Sequence, residues 1–185
     1  TNVQVANILF HSARDLVPPG LDEQYGFGCV DAYEAVNMTE HPREFVLIVD
    51  DDAPNDPVPG DPNIGDPNED GSVFHPFDSI QEAINNAPTG DSIIVRVGVY
   101  TGEGNRDIDF KGKAITLPSE NGPESCIINC QMLGRGFYFH TGEGPNSVVE
   151  GFTITNGYAA GRLSGDGGAG IFNVSSCPTL INCAF

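Results

Sequence analysis

Asparagine recurs at one relative position in three successive stretches, Ile128-Asn129-Cys130, Thr155-Asn156-Gly157 and Ile181-Asn182-Cys183, at spacings of 27 and 26 residues. Two positions before each stands an apolar residue: Ile127, Ile154 and Leu180. A period of this length marks stacked repeats, in which each unit buries its apolar face only against its neighbours. The residues between are Gly-rich and β-prone, which predicts a solenoid of strands and not of helices. Each Asn shares side-chain parity with the apolar residue two before it. The pattern therefore predicts an inward row, Asn129, Asn156 and Asn182, hydrogen-bonded from coil to coil as a ladder. Such an architecture constrains the C-terminal half but leaves any activity to surface sites.

Composition divides the chain into three zones. Over 78–185, Ser79-Ile80-Gln81-Glu82 reads as a capping box opening a helix with Ile80, Ala83, Ile84 and Ala87 on one face. Pro88 and Gly90 end that helix, which would shield the first coil from water and edge pairing. Strand-prone runs follow over 92–97, 114–117, 126–128, 136–139, 151–154, 170–172 and 179–181. They alternate between two series, so each coil carries at least two strands. The zone 46–77 reads as an acidic, Pro/Asp-rich linker, with Val46-Leu47-Ile48-Val49 able to pair with the first coil. Within it, Asp66-Pro67-Asn68-Glu69-Asp70-Gly71 matches the D-x-N-x-D-G opening of a calcium loop, making Asp66, Asn68 and Asp70 candidate calcium ligands. Phe77 stands where such a loop would place its closing Glu. The zone 1–45 reads as a helix over 3–16, a Gly-rich turn over 25–30 and a short helix capped by Asp31. Two short helices cannot bury a core of their own, so this zone needs a further packing partner.

With 26 acidic and 8 basic residues the net charge is −18. That balance excludes nucleic acid, whose phosphates require Lys and Arg, and opposes anionic membranes. No apolar run approaches the ~20 residues that span a bilayer, so membrane insertion is not expected. Acidic excess suits cation binding or a well-solvated surface. The five cysteines are expected to be free, small apolar residues. Cys126 and Cys130 would lie roughly 13 Å apart along a strand, and Cys130 and Cys183 about 9.6 Å apart two coils away, beyond the ~7 Å Cα limit of a bridge. The start at Thr1 and the stop directly after a repeat motif read as the ends of a fragment.

Two resemblances attach to these residues. The run Val5 to Leu9, Ser12 to Leu16, Gly20-Leu21-Asp22 and Tyr25-Gly26-Phe27-Gly28-Cys29-Val30-Asp31-Ala32-Tyr33-Glu34-Ala35-Val36 resembles the C-terminal edge of a subtilisin-like (S8) serine peptidase domain. The resemblance implies a serine endopeptidase whose triad lies outside this chain; His11 has the wrong motif context for the catalytic base. The zone 78–185 resembles right-handed parallel β-helix proteins of the pectate-lyase-like superfamily, through the Ser79–Ile84 helix start and a Gly-x-Tyr turn at Gly98-Val99-Tyr100. Gly167 to Asn173 and Pro178 to Phe185 are also similar to the repeats of polymorphic outer-membrane adhesins.

A lyase of that class implies calcium-binding carboxylates and a basic residue on neighbouring coils. The candidates are Asp107, Asp109, Glu143 and Glu150 with Arg106, Lys111, Lys113, Arg135 and Arg162. The insertion from Tyr158 to Gly167 is the candidate ligand loop, through Tyr158 and Arg162, groups that stack on sugars or pair with carboxylates. The expectation is a mainly β chain, a right-handed parallel β-helix preceded by a short α-helical subtilase remnant. It would be a non-catalytic part of a secreted or cell-surface protein, binding polysaccharide or cell-surface glycan. The alternatives are a polysaccharide lyase or hydrolase and an adhesin-like rod. An open last coil predicts self-association.

Overall fold

The computed structural model describes residues 13–14, 29–30, 46–53, 56, 58, 64–159 and 168–185. The chain forms two compact units, Thr1–Phe45 and Val46–Phe185. In the first, β1 (Ala13–Arg14) pairs antiparallel with β2 (Cys29–Val30), Ala13 opposite Val30. This corrects the helix expected over 3–16 at its last turn. Pro18 and Pro19 disfavour helical backbone just downstream, and the β-branched Val30 suits a strand partner. The turn expected over 25–30 ends in strand at Cys29 and Val30; its earlier residues, the rest of the 3–16 helix and the helix after Asp31 lie outside the described residues.

The second unit is mainly β, built of parallel strands with one short helix among the described residues. Its strands are β3 (Val46–Val49), β4 (Ser92–Val95), β5 (Gly98–Tyr100), β6 (Thr116–Pro118), β7 (Cys126–Asn129), β8 (Phe137–Phe139), β9 (Val148–Glu150), β10 (Thr153–Thr155), β11 (Ile171–Asn173) and β12 (Thr179–Ile181). They form a five-stranded sheet in the order β12-β9-β6-β4-β3, a three-stranded sheet β10-β7-β5 and a pair β11-β8. Alternation along the strands sets the core. Leu47, Ile93, Leu117 and Val149 line the five-stranded sheet, Tyr100, Ile128 and Ile154 the three-stranded one, all buried. Phe137, Phe139, Phe110 and Phe152 fill the space beside β8 with edge-on and stacked rings.

Three expectations change here. Gly98-Val99-Tyr100 is a strand and not a turn. Gly98 lies bare against the Asp51 carboxylate, and Tyr100 is buried with its hydroxyl donating to Arg96 O at 3.0 Å. The residue beside Ile154 is Ile128, not Ile127, because β10 pairs with β7 one position off the Asn-based alignment. Leu180 belongs to the other sheet, where it lies opposite Val149, whereas Ala184 bridges back to Thr153 of β10. The repeat lengths vary, since Ser92 pairs with Thr116, Thr116 with Val148 and Val148 with Thr179. A fixed period drawn through the asparagines therefore joins positions from two sheets.

The helix α1 (Ile80–Asn86) buries Ile80, Ala83, Ile84 and, at its C-cap, Ala87. Ser79 Oγ accepts from Glu82 N at 3.3 Å and Asn105 Oδ1 from Ile80 N at 2.9 Å, satisfying two donors of the first turn. At the other end the Lys113 ammonium donates to the carbonyls of Ile84, Asn85 and Ala87 at 2.7, 3.1 and 2.8 Å. The described part of the acidic segment does not stand off in solvent as a linker would. Ile48 N donates to Gly71 O, and Asp50 N and Phe77 N exchange bonds with Phe77 O and Ile48 O, so residues 71–77 lie along the outer edge of β3. Leu47 and Phe77 anchor it, close around Gly71, where φ is +77° and a side chain would collide with the Phe77 ring and a Leu47 methyl.

Candidate functional site

The outer face of the β8–β11 pair gathers the groups best suited to hold a ligand. Phe137 and Phe139 point into the core, so Tyr138 between them points outward. Phe172 is its partner on β11, and the parallel bridge of Ile108 to Phe137 sets Asp109 beside Tyr138 on the other side. Asp109, Tyr138 and Phe172 thus form an outward row. The Tyr138 and Phe172 rings are 5.6 Å apart, and the exposed His140 ring lies 4.1 Å from that of Tyr138. The Arg135 guanidinium stands 4.7 Å over Phe172 and 5.8 Å over Tyr138. His140 Nε2 is 3.3 Å from Asp109 Oδ2.

This arrangement is held from behind. Arg135 N donates to Asp107 Oδ1 at 2.9 Å and Asp107 N to Arg135 O at 2.6 Å, with Asp107 in a left-handed conformation. Asp109 N donates to Gln81 Oε1 at 2.8 Å, tying the row to α1. Among the described residues Arg135 forms no ion pair, and its Nε is buried without a hydrogen-bond acceptor. An aromatic platform edged by a cation, an imidazole and a carboxylate offers apolar ring faces together with several hydrogen-bonding groups. Such a mixture fits a ligand with one apolar face and many hydroxyls.

The other predicted residues fall elsewhere. Glu143 is buried and accepts from Gly112 N at 2.9 Å, Thr141 N at 3.0 Å, Ser176 Oγ at 2.7 Å and the Thr141 hydroxyl. Burial alone would raise its pKa, but the hydroxyls of Thr141 and Ser176 and the Gly112 amide outweigh it and hold the carboxyl down at about 2. It clamps loops and is not available as an acid. Glu150 sits exposed on β9, in a different sheet. Lys111 Nζ donates to Asn85 Oδ1 at 2.6 Å, and Lys113 closes α1. Arg106 joins no described ion pair.

Asn156 Nδ2 donates to Asn129 Oδ1 at 3.0 Å, one rung between two of the three asparagines. Asn156 is exposed and left-handed, with φ 51°, and so is Asn182, with φ 48°. Asn182 follows β12 as the left-handed Gly151 follows β9, so its role is to turn the corner. Tyr158 is exposed, and its N donates to Gly134 O at 2.7 Å; Arg162 lies outside the described residues. Asp66 is buried, takes Asn68 N at 2.9 Å and binds His75 Nδ1, while Asp70 Oδ1 takes Ser72 N at 2.9 Å. The sequence match to a calcium loop therefore appears as two Asx turns and a His–Asp pair.

Two acidic groups were not singled out by sequence. Asp50, Asp51 and Asp52 bring carboxylate oxygens within 4.8 Å of one another, with Arg96 Nη1 2.8 Å from Asp50 Oδ2. Burial first, then the charge of Asp52, pushes the Asp51 carboxyl up to about 6. The second group surrounds Glu69 and Asp78. Beside α1, a shallow polar cleft of about 350 Å³ is lined by Gln81, Glu82, Asn85 and Glu103 among others. Cys126, Cys130, Cys177 and Cys183 are free, and burial raises Cys126 and Cys130 well above the usual thiol range. No described helix is long and apolar enough to cross a membrane. No family model matches the chain, and neither a curated protein nor a solved structure does.

Proposed function

We propose that Val46–Phe185 is a right-handed parallel β-helix that binds carbohydrate on the outer face of β8 and β11. The handedness is supported by its parallel pairings and by the rule that crossovers joining parallel strands of one sheet are right-handed in about 98% of cases. The observation carrying the binding role is the row Asp109, Tyr138, Phe172 with Arg135 lying over its rings. The commitment of Glu143 to a loop clamp and of Asp109 to His140 favours binding without turnover. Following the resemblance in 1–45, the module is joined to a subtilisin-like serine endopeptidase whose triad lies outside this chain. Such an assembly belongs outside the cell or at its surface, where the module holds the peptidase near glycan.

Affinity electrophoresis and a glycan array with the 185-residue chain test this. Y138A and F172A should each weaken binding roughly tenfold or more, on the scale of about 1.4 kcal/mol per decade, with unchanged circular dichroism. Binding that survives both substitutions places the ligand elsewhere. Release of unsaturated uronate from a bound polysaccharide would replace the binding role with lyase activity.

A further inference from the structure

The aromatic row on β8 and β11 is partly covered by its own neighbour. The Tyr138 and His140 rings lie 4.1 Å apart, with their planes 31° off parallel. Rings side by side or edge to face cannot approach that closely, so the imidazole lies across a face of Tyr138. Phe172 stands further off, at 5.6 Å and 39°. Tyr138 and His140 are two residues apart at the end of β8 and share one side of it, which is why their rings meet. A ring face that carries the imidazole cannot at the same time stack against a sugar.

Asp109 holds the imidazole there, with His140 Nε2 3.3 Å from Asp109 Oδ2. The carboxylate is itself fixed, its Oδ1 accepting from Lys111 N at 2.7 Å and from the Thr141 hydroxyl at 3.4 Å. The backbone on either side of His140 is fixed as well. Val174 N donates to Phe139 O at 2.8 Å, and Thr141 N to Glu143 Oε2 at 3.0 Å. What remains free is rotation of the His140 side chain about its own bonds. With 34% of that side chain exposed, the imidazole has solvent to turn into. One ring stack and one exposed His–Asp contact are each weak, so the covered arrangement is favoured only severalfold over an uncovered one.

We propose that His140 is a cover over Tyr138, latched by Asp109, which carbohydrate must displace to reach the aromatic row. The proposal rests on the carbohydrate reading of β8 and β11. While the cover is closed that face of Tyr138 is shut to a ligand. The apparent affinity is then the intrinsic one reduced by the fraction of molecules whose imidazole is turned away. Asp109 acts here through His140, as a positioning residue. With no ligand bound, the cover also keeps an outward aromatic ring from standing bare in water.

Two readouts test this, one of them without a ligand. Tetranitromethane nitrates accessible tyrosines, and peptide mass spectrometry reads each site separately. In the 185-residue chain Tyr158, exposed at 48%, and the fully buried Tyr100 serve as the fast and the unreactive reference. H140A, which changes one exposed side chain, should nitrate severalfold faster at Tyr138, with Tyr158 and Tyr100 as in the parent. The second readout is affinity electrophoresis in gels holding hydroxyethylcellulose, xylan or polygalacturonate. Whichever of these retards the parent should retard H140A at about threefold to tenfold lower concentration, the reciprocal of a small uncovered fraction. D109A should share the effect and add nothing in the H140A background. Nitration of Tyr138 at the parent rate in H140A overturns the proposal. Weaker retardation of H140A overturns it too, by making the imidazole a ligand contact. Faster nitration with no polysaccharide retarding parent or variants overturns the carbohydrate reading and the displacement with it, while the cover stands.

Discussion

Glu143 shows how one buried carboxylate can read as a catalytic candidate in sequence and prove a structural clamp in space. Four donors from three loops converge on it, from Gly112, Thr141 and Ser176. A neutral amide in its place would turn an NH2 group toward donors. Glu143→Gln should therefore cost about 1–3 kcal/mol at pH 7 by urea unfolding. The pH dependence has a defined sign. The folded carboxyl titrates near 2 and the unfolded one near its ordinary value of 4.5, so the stabilisation is complete above 4.5 and disappears as pH falls toward 2. The parent should lose stability across that window, and E143Q should lose less. Equal slopes for the two would mean that the four donors do not favour the charged form.

Among the elements, α1 was the most legible, because its capping and its apolar stripe are both local in sequence. Ser79 caps it, and Ile80, Ala83, Ile84 and Ala87 are buried as their spacing indicates. Its C-terminal closure was not legible: Lys113, 26 residues beyond Ala87, reaches three helix carbonyls. The same locality explains the strands. Short β-prone runs could be located, whereas the partner of each depends on connections of unequal length, so the Asn-based alignment slipped by one at Ile127 and crossed sheets at Leu180. The candidate site was hidden for that reason. Tyr138 and Phe172 are ordinary strand residues until β8 and β11 pair, and only Arg135 and Asp109 stood out as charged groups. The Lys113 contact predicts an asymmetry between two neighbouring lysines. Lys113→Met should destabilise by about 1–3 kcal/mol, because three carbonyls at a helix end lose a charged donor. Lys111→Met, which loses only a bond to the exposed Asn85, should stay within about 0.5 kcal/mol. Chemical unfolding of both variants decides it; similar losses would show that the helix end does not depend on Lys113.

At the scale of the whole molecule, the five-stranded sheet has unlike edges. Along β3 the segment 71–77 takes up the outer hydrogen bonds, so the acidic stretch protects that side. Along β12 no described residue pairs with the outer edge, and Leu180 and Ile181 are exposed at 43% and 41%. Open, apolar edge strands recruit further strands. The net charge of −18 opposes this, since two copies repel each other, but the repulsion is screened beyond a Debye length of about 10 Å at 0.1 M salt and about 3 Å at 1 M. Backbone pairing and apolar contact at the edge act at shorter range and survive that screening. The 185-residue chain should therefore be monomeric at low ionic strength and self-associate as sodium chloride rises, read by light scattering at fixed protein concentration. Ile181→Lys puts a charge on the exposed edge at little cost to folding and should shift the onset of association to higher salt. Monodisperse monomer throughout the salt series would mean that β12 is too short or too twisted to act as a template; association unaffected by I181K would place the contact on another surface.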